Sequence, residues 1–130
     1  MKARVSWQGE MRFRGETDSG KVLDMDGDGQ AVSPMESVLL AVGACSSIDV
    51  VEILKKARQD INDCLCELTA ERADSAPRVF TSIHAHYVVE GNNVSEKHLA
   101  RAVQLSAEKY CSVMLMLQSA VSITTSYAIK

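Results

Sequence analysis

Ser33-Pro34-Met35-Glu36-Ser37-Val38-Leu39-Leu40-Ala41-Val42-Gly43-Ala44-Cys45-Ser46-Ser47-Ile48-Asp49-Val50-Val51-Glu52-Ile53-Leu54-Lys55-Lys56 is the stretch on which the fold turns. Serine is a good N-cap, proline suits the first helical position, and a glutamate three residues after the serine completes a capping box. The spacing predicts a helix from Pro34 to about Lys56, roughly 35 Å long. Lys55, Lys56 and Arg58 then meet the negative end of its dipole. Its apolar residues do not form one stripe. Leu39, Leu40, Val42, Ile48, Val50, Val51, Ile53 and Leu54 point around most of the cylinder, the pattern of a buried helix. A chain of 130 residues has little material to cover such a helix on every side. A second copy supplying the missing wall is the simple expectation.

Outward from the helix the pattern changes to strands. Val5 and Trp7, then Met11 and Phe13, sit in short alternating runs about Gln8-Gly9-Glu10 and predict an opening hairpin. Lys21 to Met25 reads as a third strand, closed by the turn-forming Asp26-Gly27-Asp28-Gly29. Beyond the helix, Cys64 to Glu71 alternates with Cys64, Cys66, Leu68 and Ala70 on one side. Val79 to Val89 alternates with Val79, Thr81, Ile83, Ala85, Tyr87 and Val89 inward, leaving Ser82, His84 and His86 outward. Gly91-Asn92-Asn93 makes a turn, and Ser95 caps a helix through Leu99, Ala102, Val103 and Ala107. A short helix from Ser112 to Gln118 follows Cys111, and Val121 to Ile129 closes as a strand. Strands, a long helix, strands, helices and a strand make an α+β layout in a single domain, residues 1–130.

Composition narrows the function. Hydrophobic residues make up 46% and charged residues 24%, an ordinary globular balance. A net charge of −3 and 5% aromatic residues speak against a nucleic-acid partner. Charged residues interrupt every apolar run well before about twenty residues, so no membrane span is expected. Met1-Lys2-Ala3-Arg4 leads into no export signal, and a cytoplasmic location is expected. There thiols stay reduced, so Cys45, Cys64, Cys66 and Cys111 are read as reactive, metal-binding or buried rather than as a disulfide framework.

Two of them stand in distinctive settings. Cys45 lies in the long helix among Gly43, Ala44, Ser46 and Ser47, small residues that leave room beside the thiol. Cys111 follows Glu108-Lys109-Tyr110 at a helix start, where backbone donors and a lysine favour a thiolate. One thiolate that attacks a peroxide and one thiol that resolves the sulfenic acid are the inventory of a thiol peroxidase.

Ser33-Pro34-Met35-Glu36 leading to Gly43-Ala44-Cys45, and Glu108-Lys109-Tyr110-Cys111-Ser112-Val113, resemble the two cysteine motifs of the OsmC/Ohr family. Pro77-Arg78-Val79-Phe80-Thr81-Ser82-Ile83 to Tyr87-Val88-Val89 resembles the strand between them. The resemblance implies an OsmC-like intertwined homodimer, with sheets wrapped around long central helices. It implies reduction of an organic hydroperoxide by Cys45, resolution as a disulfide by Cys111, and recycling by a dithiol, with no cofactor or metal. Better-characterised branches place a glutamate directly after the proline, paired with an arginine. Here Met35 holds that position and Glu36 comes one residue later, rotated by about 100°. Glu36 is therefore a third catalytic candidate, with helix capping as the other reading. Nine residues, roughly 13 Å along a helix, separate it from Cys45, so a catalytic Glu36 would serve the partner subunit's cysteine. Arg12 and Arg14 lie in the hairpin where the arginine would be sought, and a solvated strand face is the preferred reading for both. The rival function is a non-catalytic dimer that uses its cysteines for redox sensing or ligand binding.

Two other signals are set aside. Asp24-Met25-Asp26-Gly27-Asp28-Gly29 imitates the start of a calcium loop, but residue 35, where a bidentate glutamate is needed, is methionine. Cys64-x-Cys66 and His84-x-His86 hold four zinc-type ligands, yet the alternation puts the two pairs on opposite sides of their strands. Met114-Leu115-Met116-Leu117 reads as core, close enough to Cys111 to line a pocket.

Overall fold

A computed structural model describes all 130 residues, Met1–Lys130. They form two compact units, Met1–Val38 and Leu39–Lys130. The first is an antiparallel sheet of β1 (Ala3–Trp7), β2 (Arg12–Thr17) and β3 (Val22–Asp26) in that order. Its register pairs Val5 with Gly15, Gly15 with Leu23, Trp7 with Phe13 and Phe13 with Met25, so these share one face. That face is apolar, yet Trp7 remains 67% exposed. The opposite face carries Arg12 and Arg14, both exposed, and Arg14 forms a two-pronged ion pair with Asp24 at 2.7 and 3.0 Å. After β3 the buried Asp26 accepts the Asp28 N–H at 2.7 Å, so the acidic run is a turn held by its own side chain.

Helix α1 spans Pro34–Lys56, the range the cap and the apolar run predict. The Glu36 N–H donates to Ser33 Oγ at 3.0 Å and the Ser33 N–H donates to Glu36 Oε1 at 2.9 Å, both halves of the capping box. Four-residue steps bury Val42, Ser46, Val50 and Leu54, with Gly43 beside them. Within one chain the rest of the circumference is left uncovered, as expected for a helix that 130 residues cannot enclose: Leu40 is 59% and Ile48 61% exposed. By length and composition α1 is also apolar enough to cross a membrane. Counting interruptions by charge missed this, because three scattered acids barely lower the mean hydropathy of so apolar a segment. The same property belongs to a core helix, and one stripe of α1 is packed as one.

The second unit holds the sheet β4 (Asp60–Arg72), β5 (Phe80–Asn92) and β6 (Ser122–Ile129). β4 runs antiparallel and β5–β6 parallel, so a crossover joins β5 to β6. That crossover is α2 (Glu96–Leu105), a π-turn (Ser106–Tyr110) and α3 (Ser112–Leu117). One face presents Cys64, Cys66, Leu68 and Ala70 opposite Val89, Tyr87, Ala85 and Ile83. The other pairs Glu67 with His86 and Thr69 with His84, so the cysteines and histidines do face opposite ways. The two imidazoles are half-buried, tied to Thr124 and Ser126 of β6 at 2.6–2.8 Å.

The inward alternation of β5 fails at its start. Val79 is 53% exposed, Thr81 is exposed, and Phe80 is buried instead. Glu71 faces Ser82 while Arg72 faces Phe80, so Thr81 is an extra residue that inverts the parity. A second departure lies after α2, where the helix predicted through Ala107 stops at Leu105 and widens into the π-turn.

Candidate functional site

Cys45 sits on α1 next to the buried Ser46 and is itself half-buried. Gly43, two residues earlier, lets the helix approach β4. A Cβ there would lie 2.7 Å from Leu68 Cδ1 and 3.7 Å from Cys66 Sγ. The close approach also brings the sheet's tyrosine to the helix. Tyr87 Oη donates to Ser46 Oγ at 2.6 Å, and Ser46 Oγ donates back to the Val42 carbonyl at 2.7 Å. Both residues are buried, where such hydrogen bonds contribute about 1 kcal/mol each and leaving one unmade costs more.

Cys111 arrives from the other side. The π-turn closes through the Cys111 N–H donating to the Ser106 carbonyl at 2.8 Å, a five-residue step. Cys111 then caps α3, its Sγ accepting the Met114 N–H at 3.4 Å. Its thiol lies near enough to that of Cys45 for each to affect the other's ionisation, so the two cysteines singled out by sequence are brought together. Their accessibilities differ: Cys111 is 0% exposed.

The electrostatics of Cys111 correct the sequence expectation. Burial pushes its thiol up to about 11, outweighing the Met114 N–H that favours a thiolate, and Cys45 alongside adds to the rise. Lys109 gives no relief, because its Nζ lies over the Tyr110 ring, 5.4 Å from the centroid. A helix-start donor and a lysine in sequence say nothing about desolvation, which here is the larger effect. Cys66 also borders the pair's surroundings. Burial raises its pKa first of all, with Ser47 and Tyr87 acting in the opposite direction. Cys64 is likewise raised, by burial and then by Asp63. Tyr87 is raised by burial, with Cys66, Cys111 and Cys64 all near enough to contribute.

Glu36 belongs to the first unit, and its carboxylate is engaged in the capping box. The Ser33 N–H, with the Ser33 hydroxyl second, holds that carboxyl below the usual glutamate value. Arg12 and Arg14 are in the first unit as well, on its polar strand face.

Sequence reasoning passed over Ser46, Asp49, Tyr87 and Ser106 as participants. Ser106 Oγ donates to Asp49 Oδ2 at 3.0 Å and lies 3.2 Å from the Ser46 carbonyl. The signal was present: Leu99, Ala102, Val103 and Ser106 follow the i, i+3, i+4, i+7 spacing of a core face, which makes the serine a buried polar residue.

The OsmC-like protein family model matches residues 27–126. Protein YhfA of Escherichia coli K12 is 54% identical over 131 aligned positions, covering 99% of this chain and 98% of that protein. A hypothetical protein from Aquifex aeolicus VF5 superposes with a TM-score of 0.90 at 34% identity, covering 99% of this chain and 95% of its own. The organic hydroperoxide resistance protein OhrB of Bacillus subtilis superposes with a TM-score of 0.65 over 98% of each chain. At 15% identity that likeness speaks for the fold alone. The match over 100 of the 130 residues, with a relative identical at more than half of its aligned positions, decides the assignment: the chain belongs to the OsmC-like protein family.

Proposed function

We propose that the protein reduces organic hydroperoxides with Cys45 as the attacking and Cys111 as the resolving cysteine. The proximity of the two thiols, near enough to affect each other's ionisation, one half-buried and one fully buried, carries this reading. The more accessible Cys45 meets the peroxide. Its thiolate attacks the distal peroxide oxygen, forming an S–O bond as the O–O bond breaks, and gives a sulfenic acid and an alcohol once the leaving alkoxide takes a proton. The Cys111 thiol then attacks the Cys45 sulfur, forming the disulfide and releasing water. A cellular dithiol restores both thiols, in keeping with a reducing cytoplasm. Membership of the OsmC-like family, with both cysteine motifs present, supports the substrate class. Tyr87 and Met114, both close to Cys111, favour an organic over an inorganic peroxide. The working particle is a homodimer of single-domain subunits, whose second copy covers the exposed side of α1.

Glu36 is assigned the capping role its hydrogen bonds describe, Arg14 the ion pair with Asp24, and Arg12 a solvated strand face. That assignment leaves the attacking cysteine without a dedicated acid and favours, as a second reading, a dimer that is oxidised once and senses or binds rather than turns over.

Hydroperoxide consumption by wild type, Cys45→Ser and Cys111→Ser, with a dithiol present, separates the two. Wild type is expected to consume many equivalents and Cys45→Ser none. Cys111→Ser is expected to stall with sulfinic or sulfonic acid at Cys45. Consumption of at most one equivalent by wild type, whatever the peroxide and dithiol, would replace the peroxidase with the sensing or binding dimer.

A further inference from the structure

We propose that Ser106, braced by Asp49, is a positioning residue that sets Cys111 in register with Cys45 for disulfide formation. The inference deepens the thiol-pair reading above and names what aligns the pair.

Ser106 occupies a junction. Its N–H ends α2 by donating to the Ala102 and Val103 carbonyls, and its carbonyl accepts the Cys111 N–H across the π-turn. Its hydroxyl leaves the crossover altogether and reaches α1, 3.0 Å from Asp49 Oδ2 and 3.2 Å from the Ser46 carbonyl. Those two atoms belong to the turn of α1 that follows Cys45. One residue thus holds the backbone of Cys111 on one side and the helical turn of Cys45 on the other. A disulfide tolerates little error, since Cα atoms must lie about 4.4–6.8 Å apart with a defined torsion. A π-turn is a weak device for holding such a position, because its wide hydrogen-bonded ring is rarely stable unsupported. The Ser106 side chain supplies the support from outside the turn. It is completely buried, so water offers no substitute for its hydrogen bonds.

Asp49 makes the brace directional. Asp49 is one of three acids in an otherwise apolar helix, and the partner it takes is the buried hydroxyl. Its outer side borders a cleft of about 270 Å³ with Glu52, Ile53, Lys56, Leu105 and Tyr110. The carboxylate is therefore half-exposed, and changes there are tolerated more readily than at Ser106.

The effective concentration of Cys111 toward Cys45 is measured with no peroxide, by equilibrating the full-length protein with oxidised and reduced glutathione. The balanced reaction is two protein thiols plus one glutathione disulfide giving one protein disulfide and two glutathiones. Ser106→Ala is expected to lower this effective concentration at least tenfold, since a misplacement of about 1 Å can cost about 100-fold in a positioned reaction. Asp49→Leu is expected to act in the same direction. Asp49→Asn, which keeps an acceptor oxygen, is expected to recover most of the loss relative to Asp49→Leu. In peroxide, Ser106→Ala should also raise the share of Cys45 trapped as sulfinic acid, which a merely less stable protein would not do. If Ser106→Ala and Asp49→Leu both stay within twofold of wild type in glutathione, the positioning role is overturned. Failure of peroxide turnover with the glutathione effect intact would instead remove the peroxidase reading and leave the positioning role standing.

Discussion

The Glu36 carboxylate accepts the Ser33 N–H while Ser33 Oγ accepts the Glu36 N–H, which uses both residues to finish the first turn of α1. These hydrogen bonds depress the carboxyl's folded pKa below its ordinary value. The stabilisation is thus present above the unfolded carboxylate pKa and lost as pH falls through the folded one. Glu36→Gln keeps an oxygen for the Ser33 N–H but removes the charge. Thermal melts between about pH 7 and pH 3 should then show a shallower acid decline for Glu36→Gln than for wild type. Its hydroperoxide turnover should stay near wild type. A fall of about 100-fold or more, the scale of a lost acid–base group, would return Glu36 to the chemistry as a residue serving the partner's cysteine. Sequence gave Ser33, Pro34 and Glu36 their places because a cap is a local device written in adjacent residues. Cys111 was harder. Its cap position was legible, but its desolvation is produced by residues distant in sequence, and that reverses the thiolate expectation.

Elements repeat this division between local and distant causes. The span of α1, the antiparallel pair β4–β5 and the closing strand follow from periodicity, which any window of sequence displays. The bulge at Thr81 and the π-turn at Ser106–Tyr110 do not, because each inserts a residue that breaks the period on either side of it. Gly91 marks another such place, near the β4–β5 shift between Ile61 and Asp63. A Cβ at residue 91 would run into the Asp60 carbonyl oxygen and lie 2.8 Å from Ile61 Cα. Both obstacles are backbone, so relief requires the strand pair to part rather than a side chain to turn. Gly91→Ala is expected to destabilise by about 3 kcal/mol, the upper range for overpacking a fixed site. That corresponds to a melting temperature lower by roughly 10 °C for a domain of this size. An unchanged melt would show that β4 and β5 separate freely here, against the hydrogen-bonded register that continues on both sides of Gly91.

On the scale of the whole molecule, the exposed apolar surface is too organised to be incidental. Leu40 and Ile48 project from α1 two turns apart, on the side opposite Val42, Ser46 and Val50. In the other unit, Val5, Trp7, Phe13 and Leu23 line one face of a three-stranded sheet and remain open. Surfaces of this kind are uncommon on monomers and mark association. A two-fold pair would use each patch twice, so a single change is felt at two places in one interface. Wild type is expected to sediment as a particle of twice 14.2 kDa, that is 28.4 kDa, and to stay in the supernatant when mixed with lipid vesicles. Ile48→Glu should weaken the dimer by roughly 100-fold, the equivalent of about 3 kcal/mol for a carboxylate buried without a partner. The variant should keep its second-unit fold, because Ile48 lies outside the buried stripe. If wild type instead sediments at 14.2 kDa, the exposed helix face has another occupant. Recovery of the protein with the vesicles would identify that occupant as lipid, consistent with the apolar length of α1.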